Sequence, residues 1–209
     1  MTVSLPPTGP TTDPPGDGST PFVVRVRTGA VLPIDDETLL RLSAANPDLR
    51  LERTAEGDLV LMSPTGTRMG IFNARLTARL VIWAEEDGRG VATDSSTGYR
   101  LPDGAVRAPD AAWIRRERIP ADADGYWPVA PDFAVELISG TELWREAREK
   151  MQAYLKAGVQ LGWLIDPVSR RVEIWRRGHG PEALEAPARL DGEPVLPGFV
   201  LDLESLWGM

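Results

Sequence analysis

Three residues carry most of the chemical information in this chain: Asp110, closing Arg107-Ala-Pro-Asp110; Glu136, inside Phe133-Ala-Val-Glu-Leu-Ile-Ser139; and Lys150, in the helical stretch that follows. Two carboxylates and an ammonium from three neighbouring elements can surround one divalent cation, the inventory of a metal-assisted phosphodiester hydrolysis. With no cysteine and one histidine, His179 in Gly178-His-Gly180, the chain excludes thiolate ligands and has almost no material for a His-built zinc site. Oxygen ligands remain, and they favour Mg2+ or Mn2+. In the chemistry these residues suggest, Asp110, Glu136 and the backbone carbonyl of Leu137 or Ile138 hold the ion. Lys150 then acts through its charge on the attacking water or on the pentacovalent phosphate. Asp94, in Asp94-Ser-Ser96, is a further candidate ligand if its strand adjoins Asp110; capping a turn is its plainer role.

The elements that must position these groups can be read from periodicity. Alternation in the 133–139 run puts Phe133, Val135 and Leu137 on one face and Ala134, Glu136 and Ile138 on the other, so Glu136 is a lone acid within an apolar strand. A carboxylate there needs a partner, because an unpaired buried charge is costly. Helical spacing sets Lys150 between Leu143, Ala147 and Tyr154, away from Glu146, Arg148 and Glu149. The two anomalies are expected to meet. A buried Glu–Lys pair without chemistry would satisfy them equally; Asp110, a second acid needing a cation, tilts the reading toward a site.

Residues 1–20, rich in Pro, Gly, Thr and Ser, read as a flexible arm, and 21–209 as one domain. A strand at Val23–Arg27 leads to a short helix from Asp35-Asp36 carrying Leu39, Leu40 and Leu42. Strands at 49–52 and 59–62 flank a Glu56-Gly57-Asp58 turn. A longer helix, about Gly70 to Glu86, has Ile71, Leu76, Leu80 and Ile82 as its apolar positions. Strands over 97–101 and 106–114 are expected to form a hairpin across Pro102-Asp103-Gly104, its second arm carrying Asp110. After the Glu136 strand and the Lys150 helix come strands at 161–165 and 171–176, then short edge strands and turns that cover the core. Ser139-Gly-Thr141 is placed to cap the Lys150 helix. Tyr154 and Trp163 read as core residues, and Asp166-Pro167 as a turn.

The formal charge of −8 argues against broad attraction to nucleic acid. A local basic cleft built from Arg115, Arg116, Arg118, Arg170, Arg171, Arg176 and Arg177 is compatible with that charge, as is an ordinary solvated face. No membrane-spanning or targeting segment stands out, making the cytoplasm the default location.

Several stretches together resemble the Uma2 family, also known as DUF820, within the PD-(D/E)XK nuclease-like superfamily. They are Ser63-Pro-Thr-Gly, Asp94-Ser-Ser-Thr-Gly-Tyr-Arg-Leu, Arg107-Ala-Pro-Asp-Ala-Ala-Trp, Pro131-Asp-Phe-Ala-Val-Glu-Leu and the run from Glu149 to Pro167. The likeness extends from about Ile34 to Trp207. It implies an α/β (α+β) restriction-endonuclease-like core, a mixed sheet flanked by helices, with Asp110 and Glu136 as metal ligands. The superfamily often places its lysine two residues after the second acid. That position here is Ile138, so Lys150 on the following helix must reach the same space. Where the family commonly has Glu, this chain has Arg68. Pro131-Asp132 offers a second Pro-Asp pair, but Asp132 shares a strand with Glu136, and Asp110 is preferred.

The leading expectation is therefore a metal-dependent endonuclease acting on DNA, with single-stranded, branched or RNA substrates open. The alternative is a weak or inactive nucleic-acid-binding or regulatory protein retaining the fold. A homodimer is compatible with the resemblance, with Trp127, Trp175 or Trp207 as candidate contacts.

Overall fold

The computed structural model describes residues 23–121, 125–138 and 144–208. The expected N-terminal arm, the Ser139-Gly-Thr141 cap and Leu143 lie outside them. The chain opens with β1 (Val23–Val26), α1 (Asp36–Ala45), β2 (Arg50–Arg53) and β3 (Leu59–Met62). Asp35 caps α1, its carboxylate accepting the Thr38 N–H at 2.8 Å. Leu39 is buried, while Leu40 stays exposed. The β2–β3 turn falls on Glu56-Gly57-Asp58, with Gly57 at φ +84°.

Helix α2 (Thr67–Asp87) starts three residues before the expected Gly70 and stops at Gly88, which takes the left-handed conformation. Its buried stripe is Phe72, Leu76, Leu80 and Ala84, whereas Ile71 and Ile82 are exposed. Spacing by four keeps the first set on one face; Ile82, six residues beyond Leu76, lies well round the helix from it.

Next come β4 (Gly90–Asp94), β5 (Tyr99–Arg100), β6 (Val106–Arg107) and β7 (Ala111–Arg115). The expected hairpin is present as β5 and β6, but the long second arm over 106–114 is not one strand. It divides at Ala108-Pro109, where proline supplies no N–H to continue a ladder. β6 joins a five-stranded sheet of order β1-β3-β2-β6-β5, and β7 enters the larger sheet. Asp110 thus sits where the chain passes from one sheet to the other.

The larger sheet is completed by β8 (Phe133–Leu137), α3 (Trp144–Ala157), β9 (Leu161–Asp166), β10 (Arg171–Arg176) and β11 (Glu182–Glu185), in the order β11-β10-β9-β8-β7-β4. β8 and β9 are parallel, as expected of strands joined through a helix; the other neighbours are antiparallel. On one face, α2 packs with a C-terminal cover of β12 (Arg189–Asp191), β13 (Val200–Asp202) and α4 (Glu204–Trp207), burying Phe133, Val135 and Trp163 with Leu196, Phe199, Leu201 and Trp207. On the other face, α3 buries Ala134, Ile138, Met151, Tyr154 and Leu164. The alternation read along β8 is borne out on both faces. Trp175 and Trp207 are consumed by the core, which removes them as free contact surfaces for a second copy.

Gly162 lets α3 approach the sheet. A Cβ added there would collide with the Met151 side chain, one residue after Lys150. Gly162→Ala is expected to destabilise the fold by about 1–3 kcal/mol through overpacking, read as a lower urea midpoint with unchanged m-value.

Candidate functional site

Two neighbouring residues of β8 form the floor of the candidate site. The Leu137 N–H donates to Asp110 Oδ2 at 2.8 Å, and Lys150 Nζ lies 2.8 Å from Glu136 Oε1. Asp110, Glu136 and Lys150 are therefore brought together, from the β6–β7 junction, β8 and α3. Tyr154, one turn beyond Lys150 on α3, donates its hydroxyl to the same Glu136 Oε1 at 2.9 Å. Both contacts fall on Oε1 and neither on Oε2.

A second wall comes from the smaller sheet, and it was not anticipated from sequence. Alternation along β2 points Leu51 into the small core under α1 and sends Arg50 and Glu52 to the opposite face. Glu52 Oε1 receives Lys150 Nζ at 2.7 Å and the Ala108 N–H at 2.9 Å, while Oε2 receives Arg107 Nη1 at 3.0 Å. Arg50 reaches Asp110 Oδ1 at 2.8 Å and the Ala108 carbonyl at 2.7 Å. Three carboxylates, Glu52, Asp110 and Glu136, thus face three cations, Arg50, Arg107 and Lys150.

Electrostatics separate the two glutamates. Burial raises the Glu136 carboxyl to about 7 against the pull of Lys150, with Asp110 and Glu52 adding to the rise. Glu52 is just as buried, but Lys150 and Arg107 outweigh that penalty and hold it down at about 2. Lys150 pays a desolvation penalty too, yet Glu136 and Glu52 keep it raised and charged. One glutamate is locked as an anion; the other is poised near neutrality.

The sequence profile described as "Putative restriction endonuclease", Uma2, matches residues 36–204. The chain belongs to the Uma2 family. A crystal structure of "a putative nuclease belonging to DUF820" from Anabaena variabilis ATCC 29413 superposes with a TM-score of 0.69 at 21% identity, covering 84% of this chain and 98% of that one. The mixed α/β fold is shared with that protein. Among curated proteins, none matches this chain.

Other candidate residues of this Uma2 chain take plainer places. Asp94 pairs with Ala111, so its strand does adjoin Asp110, yet its exposed carboxylate accepts the Ser96 N–H and hydroxyl at 3.0 and 2.6 Å, as a turn cap does. Asp132 is bonded to the Arg115 N–H at 2.9 Å and to Arg118 at 2.7 Å, at the end of β8 remote from Glu136. Arg171 and Arg176 pair with Glu173 and Glu182. Asp166 caps its turn through the Val168 and Ser169 N–H groups.

The donor set suits a hard divalent ion. Strand geometry turns the N–H and C=O of one residue to the same edge, so the Leu137 carbonyl faces the Asp110 side with its N–H. Ile138 faces β9, donating to the Ile165 carbonyl at 2.8 Å. Asp110, Glu136 Oε2 and the Leu137 carbonyl would hold the ion. Among the described residues, no three or more acidic or histidine side chains form a ready-made cation cage. An ion here would complete its shell with water, as Mg2+ commonly does.

Proposed function

We propose that this chain is a metal-dependent endonuclease that hydrolyses phosphodiester bonds, with DNA as its substrate class. The observation that carries the reading is the convergence of Asp110 and Lys150 on consecutive residues of one strand, Leu137 and Glu136, from separate elements. A bound Mg2+ or Mn2+ would supply Lewis-acid polarisation of a phosphoryl oxygen and a more acidic water. The protein's own groups do the rest. Lys150 sets a fixed positive charge beside the reacting phosphate, where low local dielectric strengthens it. Glu52 and Tyr154 hold the Lys150–Glu136 pair in place from two sides, so the charge is in position before substrate arrives. No helix among the described residues is long and apolar enough to cross a membrane.

The rival reading is a fold kept for nucleic-acid binding or regulation with an inert site. In its favour, the carboxylates and cations already neutralise one another. Cleavage of labelled duplex, single-stranded and branched DNA, and of RNA, in Mg2+, Mn2+ or EDTA separates the two. The hydrolase reading expects metal-dependent cleavage that falls at least about 100-fold in Asp110→Asn. Nucleic-acid binding with no cleavage in any metal would favour the rival.

A further inference from the structure

Arg50 stands on the open side of the cluster. Its side chain is 27% exposed, against 15% for Lys150 and 17% for Arg107, so of the three cations it is the one most accessible to an incoming ligand. Its Nη1 and Nη2 each make one hydrogen bond, to Asp110 and Ala108, while Nε is buried without a hydrogen-bond partner. Asp110 does not depend on Arg50 alone for its orientation, because the Leu137 N–H fixes the other carboxylate oxygen.

Charge balance gives the contact a purpose. Counted as ionised, the three acids and three cations of the cluster sum to zero without a divalent ion. An added dication raises the sum to about +2, and a phosphodiester anion is then attracted to the cluster of a chain whose formal charge is −8. Lys150 already serves two carboxylates, at 2.7 and 2.8 Å, and an ammonium recognises phosphate only as a point charge. A guanidinium presents a planar fork that matches two phosphate oxygens at once.

Building on the hydrolase reading above, we propose that Arg50 is a substrate-contacting residue: its guanidinium binds the non-bridging oxygens of a nucleic-acid phosphate. In the absence of a divalent cation it rests on Asp110, in competition with that cation. Removing it then has two effects of opposite sign, favouring the metal and disfavouring the nucleic acid. An arginine that merely braced the passage between β6 and β7 would not produce that combination.

The test uses the full chain and the Arg50→Gln and Arg50→Lys variants. Mn2+ affinity is measured by calorimetry without nucleic acid. Binding of a labelled oligonucleotide of the class that wild type cleaves is measured by anisotropy in Ca2+ over a salt series. Arg50→Gln is expected to bind Mn2+ about tenfold tighter and the oligonucleotide about tenfold more weakly. Its log–log salt dependence should be shallower by about one. Arg50→Lys, which keeps the charge without the fork, should restore the slope but not the full affinity. Either shift alone, or a joint weakening that tracks lost thermal stability, overturns the assignment; if Arg50→Gln does not fold, the Arg50→Lys pattern decides. Wild type that binds neither Mn2+ nor any oligonucleotide removes the hydrolase reading itself. Wild type that binds and cleaves, beside an indistinguishable Arg50→Gln, removes only the role of Arg50.

Discussion

Replacing Lys150 with alanine is expected to lower single-turnover cleavage by about 100- to 1,000-fold while leaving oligonucleotide affinity within about threefold. The asymmetry follows from where the ammonium sits. It is 15% exposed and bonded at 2.7 and 2.8 Å to Glu52 and Glu136, so it is poorly placed to add ground-state affinity along a nucleic-acid backbone. On the proposed hydrolase reading, its charge would act where negative charge grows as the phosphate is attacked. Lys150→Arg tests the geometry: the longer planar group keeps the charge but cannot place it between two carboxylates so closely spaced, and recovery should be partial. Because alanine leaves Glu52 and Glu136 without their shared cation, assays belong well below the variant's own melting temperature. An equal loss of affinity and rate would show that Lys150 binds substrate uniformly; an unchanged rate would remove it from the chemistry.

How far the sequence foretold this site depends on which signal each residue carried. Glu136 and Lys150 broke their local patterns, an acid among apolar strand residues and a lysine on an inward helix face, and both meet at 2.8 Å. Asp110 was legible through its Pro-Asp context, although its place was misread: Pro109 ends one strand and the chain changes sheets, so Asp110 is a junction residue. Arg50 and Glu52 gave no such signal. In a strand with one solvated face, charges alternating with Leu51 look like ordinary outward residues. Only the packing of the second sheet against the first turns that face inward, and no local window contains a contact between residues 52 and 150. Tyr154 was correctly read as core, yet its hydroxyl is a polar tip that must find an acceptor when buried, and Glu136 provides it. The misplaced stripe on α2 is a simpler matter: Ile71 and Ile82 satisfied an apolar count but not the same face as Phe72, Leu76 and Leu80.

The two buried glutamates should respond in opposite ways to loss of charge. Glu52→Gln is expected to destabilise the metal-free protein by about 3–5 kcal/mol at neutral pH, because it strands Arg107 in a buried setting without its anion and leaves Lys150 only Glu136. Glu136→Gln leaves Lys150 its bond to Glu52 and leaves an amide oxygen to accept from Tyr154, while removing a carboxylate that burial disfavours. It should be neutral or stabilising by about 1 kcal/mol at pH 8. The pH dependence carries the same distinction. The folded Glu136 carboxyl, raised to about 7 from an ordinary 4.5, holds its proton more tightly than the unfolded chain does. Its contribution is therefore full below about 4.5 and is lost as pH rises through about 7. Glu52, lowered to about 2, contributes fully above about 4.5 and loses that contribution as pH falls through about 2. Urea midpoints in EDTA between pH 5 and 8 should fall for wild type relative to Glu136→Gln, with the gap closing toward pH 5. A Glu136→Gln variant as damaged as Glu52→Gln would make Glu136 an ordinary structural anion. The expected result makes it a carboxylate kept at a cost to stability, as residues retained for chemistry often are.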